Sequence, residues 1–273
     1  MKEEVRAQEV LATLGEQGLD FFTTDDLVKR LGIPRQAAHD VTRRLVAANQ
    51  AQRLRRGLYA VMEPAYWHRP DAGFVANWYL AATRLAEPAD YFLAYYTAME
   101  IHQMLQHPLT TVIAATTEQR RTLDVGPVTF RFVKVAKRKF FGVEKRQIQR
   151  GRTVNVADLE KTFIDAADRP DLCGGIEEVF RGFDRRAEAL DSDRILRYAM
   201  RLGSPTTTKR LGFLLEATGY GESAVLLELR EMAGRLHHYV PLDPKRPRDG
   251  RRDTRWELLV NVPLDRLLRT LRT

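Results

Sequence analysis

The sequence predicts an α+β chain in two parts. Residues 1–64 read as a winged helix-turn-helix, and residues 65–273 as a mixed α/β domain built on a small, mainly antiparallel sheet. Three observations carry this. Within residues 22–61, two short amphipathic helices joined by a Gly-Ile-Pro turn precede a basic hairpin. From Thr110 the apolar pattern changes from helical spacing to alternation, and after Ala157 helical spacing returns. A chain of 273 residues with 44% hydrophobic content is long enough to fill two cores.

Residues 2 to about 14 form the first expected helix, with Ala7, Val10, Leu11 and Leu14 inward and Gly15 and Gly18 closing it. Thr23 or Thr24 can cap the second, whose first turn holds Asp25 and Asp26 at the positive end of the helix dipole. Its apolar face is Leu27, Val28 and Leu31, and Gly32 ends it. Pro34, with its fixed φ and missing N–H, suits the first position of a third helix running to about residue 47. There Ala38, Val41 and Leu45 face inward, which leaves Arg35, Gln36, His39, Thr42 and Arg43 outside. Residues 52–54 and 58–61 are short strands, and Arg55-Arg56-Gly57 is the turn between them, with Gly57 where φ becomes positive.

Side-chain chemistry gives this arrangement a purpose. Arg can pair bidentately with guanine and Gln with adenine, and all these polar types can bond phosphate oxygens. Between Lys29 and Arg56 eight basic residues stand against Asp40 alone, whereas the preceding helix carries Glu3, Glu4, Glu9 and Glu16. Such segregation is the electrostatic footprint of a duplex-binding module. The candidate DNA contacts are Arg35, Gln36, His39, Thr42, Arg43 and Arg44 on the helix, and Arg53, Arg55, Arg56 and Gly57 in the wing. The bland alternative is a small helical domain with a solvated basic face.

After Val61 a Pro-punctuated aromatic stretch, residues 64–70, marks a packed domain junction. Helices are expected at 74–85 and 97–105, strands at 111–115 and 129–135, and a further strand at 152–156. A helix over 157–167 carries Leu159, Phe163 and Ala166 as one stripe, and Asp158, Glu160 and Asp165 on it read as structural. Helices at 176–183, 191–202, 208–218 and 222–232 and a last strand within 255–262 complete the chain.

Between Arg120 and Arg152 eleven basic residues face only Asp124 and Glu144. Lys134, Lys137, Arg138, Lys139, Lys145, Arg146, Arg150 and Arg152 are therefore candidates for a second surface for nucleic acid or an acidic partner, against the plainer reading of a solvated face. A third cluster, from Lys245 to Arg255, reads as an exposed loop.

Other chemistries find little support. The single Cys173 excludes an intramolecular disulfide framework and a thiolate-rich zinc site. His102 and His107 lie off a common helical face, and His237-His238 lack a nearby thiol, so no metal ligands are assigned. Gly174-Gly175 has no following Lys-Ser or Lys-Thr, so no phosphate loop is read and no cofactor is expected. The strand around Lys134 has no acidic residue two positions before it, so no catalytic residue is assigned. No apolar run reaches membrane-spanning length and the first ten residues are too polar for a signal peptide; a cytoplasmic protein is expected.

VADLEKTFIDAADRPDLCGG, residues 156–175, resembles the central signature of the AbiEi family of antitoxins and transcriptional regulators. YFLAYYTAMEIHQM, 91–104, resembles the helix that precedes the family's sheet, and KRLGFLLEATG, LDP and RWELLVNVP, at 209–219, 242–244 and 255–263, resemble its C-terminal part. The chain departs from the family at His102-Gln103, where a His-Gly pair is usual. The resemblance implies a repressor that binds the operator of its own operon as double-stranded DNA. It also implies an antitoxin domain, residues 65–273, that counters a nucleotidyltransferase-like toxin without a tight complex. Two alternatives stay open at this level: a nucleic-acid-processing enzyme targeted by its wing, and a one-component transcription factor without a toxin.

Overall fold

A computed structural model describes residues 7–68, 77–149, 151–221, 223–234 and 238–263. The chain begins with α1 (Ala7–Glu16), β1 (Phe21–Thr23), α2 (Thr24–Leu31), α3 (Arg35–Ala47) and the hairpin β2 (Ala51–Arg55) and β3 (Leu58–Val61). Thr23 caps α2 reciprocally: its hydroxyl accepts from the Asp26 N–H at 3.0 Å, and Asp26 accepts from the Thr23 N–H at 2.8 Å. Gly32 ends α2 in the left-handed region at φ 65°, and Pro34 stands one place earlier than expected, as the residue before α3. Gly57 turns the hairpin at φ 78°.

The strand β1 pairs antiparallel with β3, giving a three-stranded sheet in the order β1-β3-β2. Alternation makes this sheet two-faced. Phe22, stacked on Tyr59 at 5.5 Å, packs with Val10, Leu14, Leu27, Val41 and Leu45 into a helical core. Phe21, Leu54, Leu58 and Ala60 point the other way and join the large core of the remaining chain. The junction is packed as expected: Asn49 donates to the Tyr66 carbonyl at 2.7 Å and Trp67 Nε1 to the Met62 carbonyl at 2.9 Å. The part of the junction from Arg69 to Pro70, and the expected start of the next helix at 74, lie outside the described residues.

That large core is built around six strands. They are β4 (Tyr91–Leu93), β5 (Thr111–Thr116), β6 (Leu123–Val125), β7 (Val128–Lys134), β8 (Val143–Gln149) and β9 (Arg152–Ala157), in the order β6-β7-β5-β4-β9-β8. β5 with β7 and β4 with β9 are parallel, and the other pairings antiparallel. The sheet is thus larger and more mixed than expected. β8, with the sequence VEKRQIQ, is a polar edge strand paired on one side only, so it shows no apolar alternation to read.

Around the sheet lie α4 (Trp78–Ala86), α5 (Tyr96–Ile101), α6 (Leu159–Asp168), α7 (Ile176–Arg186), α8 (Ser192–Leu202), α9 (Pro205–Ala217) and α10 (Ser223–Ala233). α6 is buried on every side from Glu160 to Ala167, not along one stripe. Its charges are accordingly paired. Asp158 caps it and accepts from Tyr198 at 2.7 Å, Glu160 accepts from Arg194 at 3.2 Å, and Lys161 pairs with Asp165 under the Phe141 ring, 4.6 Å from its centre. A third small sheet, β10 (Val240–Pro241), β12 (Leu258–Val260) and β11 (Arg251–Asp253), follows α10. Among the described residues no helix is long and apolar enough to cross a membrane.

Candidate nucleic-acid interface

α3 turns about 100° per residue, so Ala38, Val41, Thr42 and Leu45 fall on one stripe and are buried. Thr42 therefore leaves the candidate set. Its side is only 2% exposed, and its hydroxyl donates to the Ala38 carbonyl at 2.7 Å inside the helix. Arg35, Gln36, His39, Arg43 and Arg44 are exposed on the other sides.

The hairpin completes the surface. Arg53, Arg55 and Arg56 are exposed on and beside its turn. Arg35 and His39 from the start of α3 share a cleft of about 570 Å³ with Arg53, Arg56 and Gly57, and Tyr59 forms part of its wall. Residues read separately in helix and hairpin are thus brought to one groove, with arginines from both sides and the Asp25 carboxylate also on its wall. Arg35 meets Asp25 at 3.2 Å, but both side chains are well exposed, and such a pair holds the arginine weakly. Asp40 accepts from Gln36 Nε2 at 3.2 Å and from Arg43, and the Arg43 guanidinium bonded to it holds the Asp40 carboxyl below its ordinary pKa.

The basic residues between Arg120 and Arg152 do not form one patch among the described residues. Lys134 ends β7, while Lys145 and Arg146 sit on β8, four strand spacings or roughly 19 Å across the sheet. Lys137 and Arg138 are exposed on a short turn of 3₁₀ helix, but Lys139 in the same turn pairs with Asp168. Arg146 donates to His102 Nδ1 at 3.2 Å, so His102 donates through Nε2 to the Ala157 carbonyl at 2.7 Å. Burial lowers the His102 pKa, consistent with a neutral ring. Arg152 bonds Asp20 at 3.0 Å and the Gly18 carbonyl, clasping β9 to the loop after α1. Arg150 lies outside the described residues. Charge runs in sequence were the signal here, and strand reversal disperses them.

The third cluster is similarly pinned in part: Arg246 reaches Glu177 and Asp243, and Arg255 meets Glu216 at 2.6 Å. Sequence reasoning missed the Asp20–Arg152 clasp, whose partners are 132 positions apart and carry no local pattern. It also passed over Asp40, counted only as one negative charge.

The fold is shared with the crystal structure of the RV2827C protein from Mycobacterium tuberculosis, at a TM-score of 0.70 and 16% identity over 98% of this chain and 94% of that one. Among curated proteins there is no match. The stretches at 91–104, 156–175, 209–219 and 255–263 lie outside the span that matches a family model. Residues 9–61 do match one, described as transcriptional regulator, AbiEi antitoxin.

Proposed function

We propose that residues 1–64 act as a winged helix-turn-helix on double-stranded DNA, with α3 in the major groove and the β2–β3 hairpin on the flanking backbone. One observation carries the reading: the cleft where Arg35 and His39 face Arg53, Arg56 and Gly57. Base edges would be met by α3 and phosphates by the hairpin, since bidentate side chains on a helix read sequence and clustered cations release counterions. The chain is a cytoplasmic repressor of its own operon. Residues 65–273 supply the antitoxin activity against a nucleotidyltransferase-like toxin, without a tight complex. The family match at residues 9–61 supports the regulatory role.

The test is a variant with Arg35, Arg43, Arg55 and Arg56 all changed to Ala. These positions are exposed, so the variant is expected to fold. It should lose binding to its upstream DNA yet still rescue growth when expressed from an unrelated promoter beside the neighbouring toxin gene. A folded variant that binds DNA as before refutes the DNA-reading surface. A folded variant that fails to bind and fails to rescue refutes the separation of the two activities.

A further inference from the structure

Gln36, Asp40 and Arg43 follow one another at spacings of four and three, so they form a single row along α3. That row lies opposite the buried stripe of Ala38, Val41, Thr42 and Leu45 and faces away from the core, with Gln36 and Arg43 exposed and Asp40 half-exposed between them. A carboxylate is out of place there. In a basic segment with no other acidic residue between Lys29 and Arg56, it would face the phosphate-lined groove directly.

The contacts of Asp40 account for it. One oxygen accepts from Gln36 Nε2 at 3.2 Å and also from Arg43, and the second oxygen lies 3.4 Å from Gln36 Nε2. Both long side chains thereby converge on one carboxylate from opposite directions; the Arg43–Asp40 pair is exposed in the free chain, at 78% and 41%, and strengthens where a bound duplex excludes water. Gln36 keeps its Oε1 free to accept from a base, and Arg43 keeps donors free for the paired acceptors of guanine. Without Asp40 each would sample many rotamers in solvent and bond whatever phosphate it met.

We propose that Asp40 is the specificity-determining residue of this surface: it fixes Gln36 and Arg43 as one reading unit in the major groove and cancels charge that would otherwise favour any duplex. This rests on the DNA-binding reading above. Asp40 is a positioning residue, acting through its two neighbours on the helix.

The experiment uses the full chain and a duplex selected by it from a randomised pool, beside a shuffled duplex of the same composition. Asp40→Asn keeps the shape and removes the charge. It should lower the ratio of selected to shuffled affinity by about tenfold, with binding to the shuffled duplex unchanged or tighter. In an Arg43→Ala background the same change should have a much smaller effect on the ratio, because the partner is gone. Equal tightening on both duplexes, or an effect of the same size in both backgrounds, would overturn the positioning role and leave Asp40 as simple repulsion. Circular dichroism confirms that each variant is folded before it is compared. If the unaltered chain selects no sequence at all, the DNA-reading surface itself falls, a result distinct from either.

Discussion

Gly212 on α9 and Trp256 beside β12 occupy one space: a methyl group at Gly212 would run into the indole ring. Trp256 is 1% exposed and donates through Nε1 to Glu216 at 2.6 Å, one helical turn beyond Gly212, while Arg255 pairs with the same carboxylate. The ring is thus held in place from the helix it packs on. Its position ties the last small sheet to α9.

The Gly212→Ala change should therefore destabilise the protein by about 1–3 kcal/mol, the usual cost of overpacking a closed core. In an open helix the same change would stabilise by roughly 0.5–1 kcal/mol. Chemical denaturation reads the sign directly, and a more stable variant would show that the ring can move.

Thr42 is expected to be silent in DNA binding. Its hydroxyl is spent on the Ala38 carbonyl within α3, so Thr42→Val should leave affinity for a selected duplex unchanged, while Arg43→Ala should weaken it by about 1–3 kcal/mol. A gel-shift titration that ranks the two the other way would place α3 in a different orientation.

The hairpin is expected to act through phosphates. Changing Arg55 and Arg56 together to Ala should weaken binding alike on selected and random duplexes and flatten the log–log salt dependence by about two units. An unchanged slope would remove both from the backbone contact.

Lys161 and Asp165 are both buried, at 1% and 5% side-chain exposure. Burial pushes the Asp165 pKa up, with Lys161 acting against it. Lys161→Met leaves that carboxylate unpaired and should cost about 3–5 kcal/mol at neutral pH. The sign with pH follows from the folded pKa lying above the unfolded one. The folded state then binds the proton more tightly, so the variant should gain stability as pH falls from the folded Asp165 pKa towards the ordinary carboxylate value of the unfolded chain, and lose it again as pH rises. Urea titrations at several pH values measure this; a flat profile would mean that Asp165 keeps another partner.

Gln103 follows α5, and its backbone is left-handed at φ 59°. Side chains there carry a steric cost that exceeds the extra freedom glycine has when unfolded, so Gln103→Gly should raise stability by about 1 kcal/mol. A lower melting midpoint would show that the Gln103 side chain contributes more than the strain removes.

Local order was largely legible from the sequence alone. The threonine cap of α2, which the structure settles on Thr23, the stop at Gly32, the hairpin turn at Gly57 and the inward stripe of Ala38, Val41 and Leu45 all depend on interactions within a few residues, and those leave a pattern in the chain. The span that matches a family model, residues 9–61, covers the same segment. Tertiary structure alone decided the rest. Thr42 looks polar and outward by type, but its angle on α3 buries it. The basic run from Arg120 to Arg152 is continuous only in sequence, because β7 and β8 lie at opposite sides of a six-stranded sheet. Arg152 reaches Asp20, Glu160 reaches Arg194 and Gly212 makes room for Trp256 across separations no periodicity encodes. Those contacts form only when distant strands and helices have already been brought together by burial of the common core, and a charge or a missing side chain at one end says nothing of what it will meet at the other.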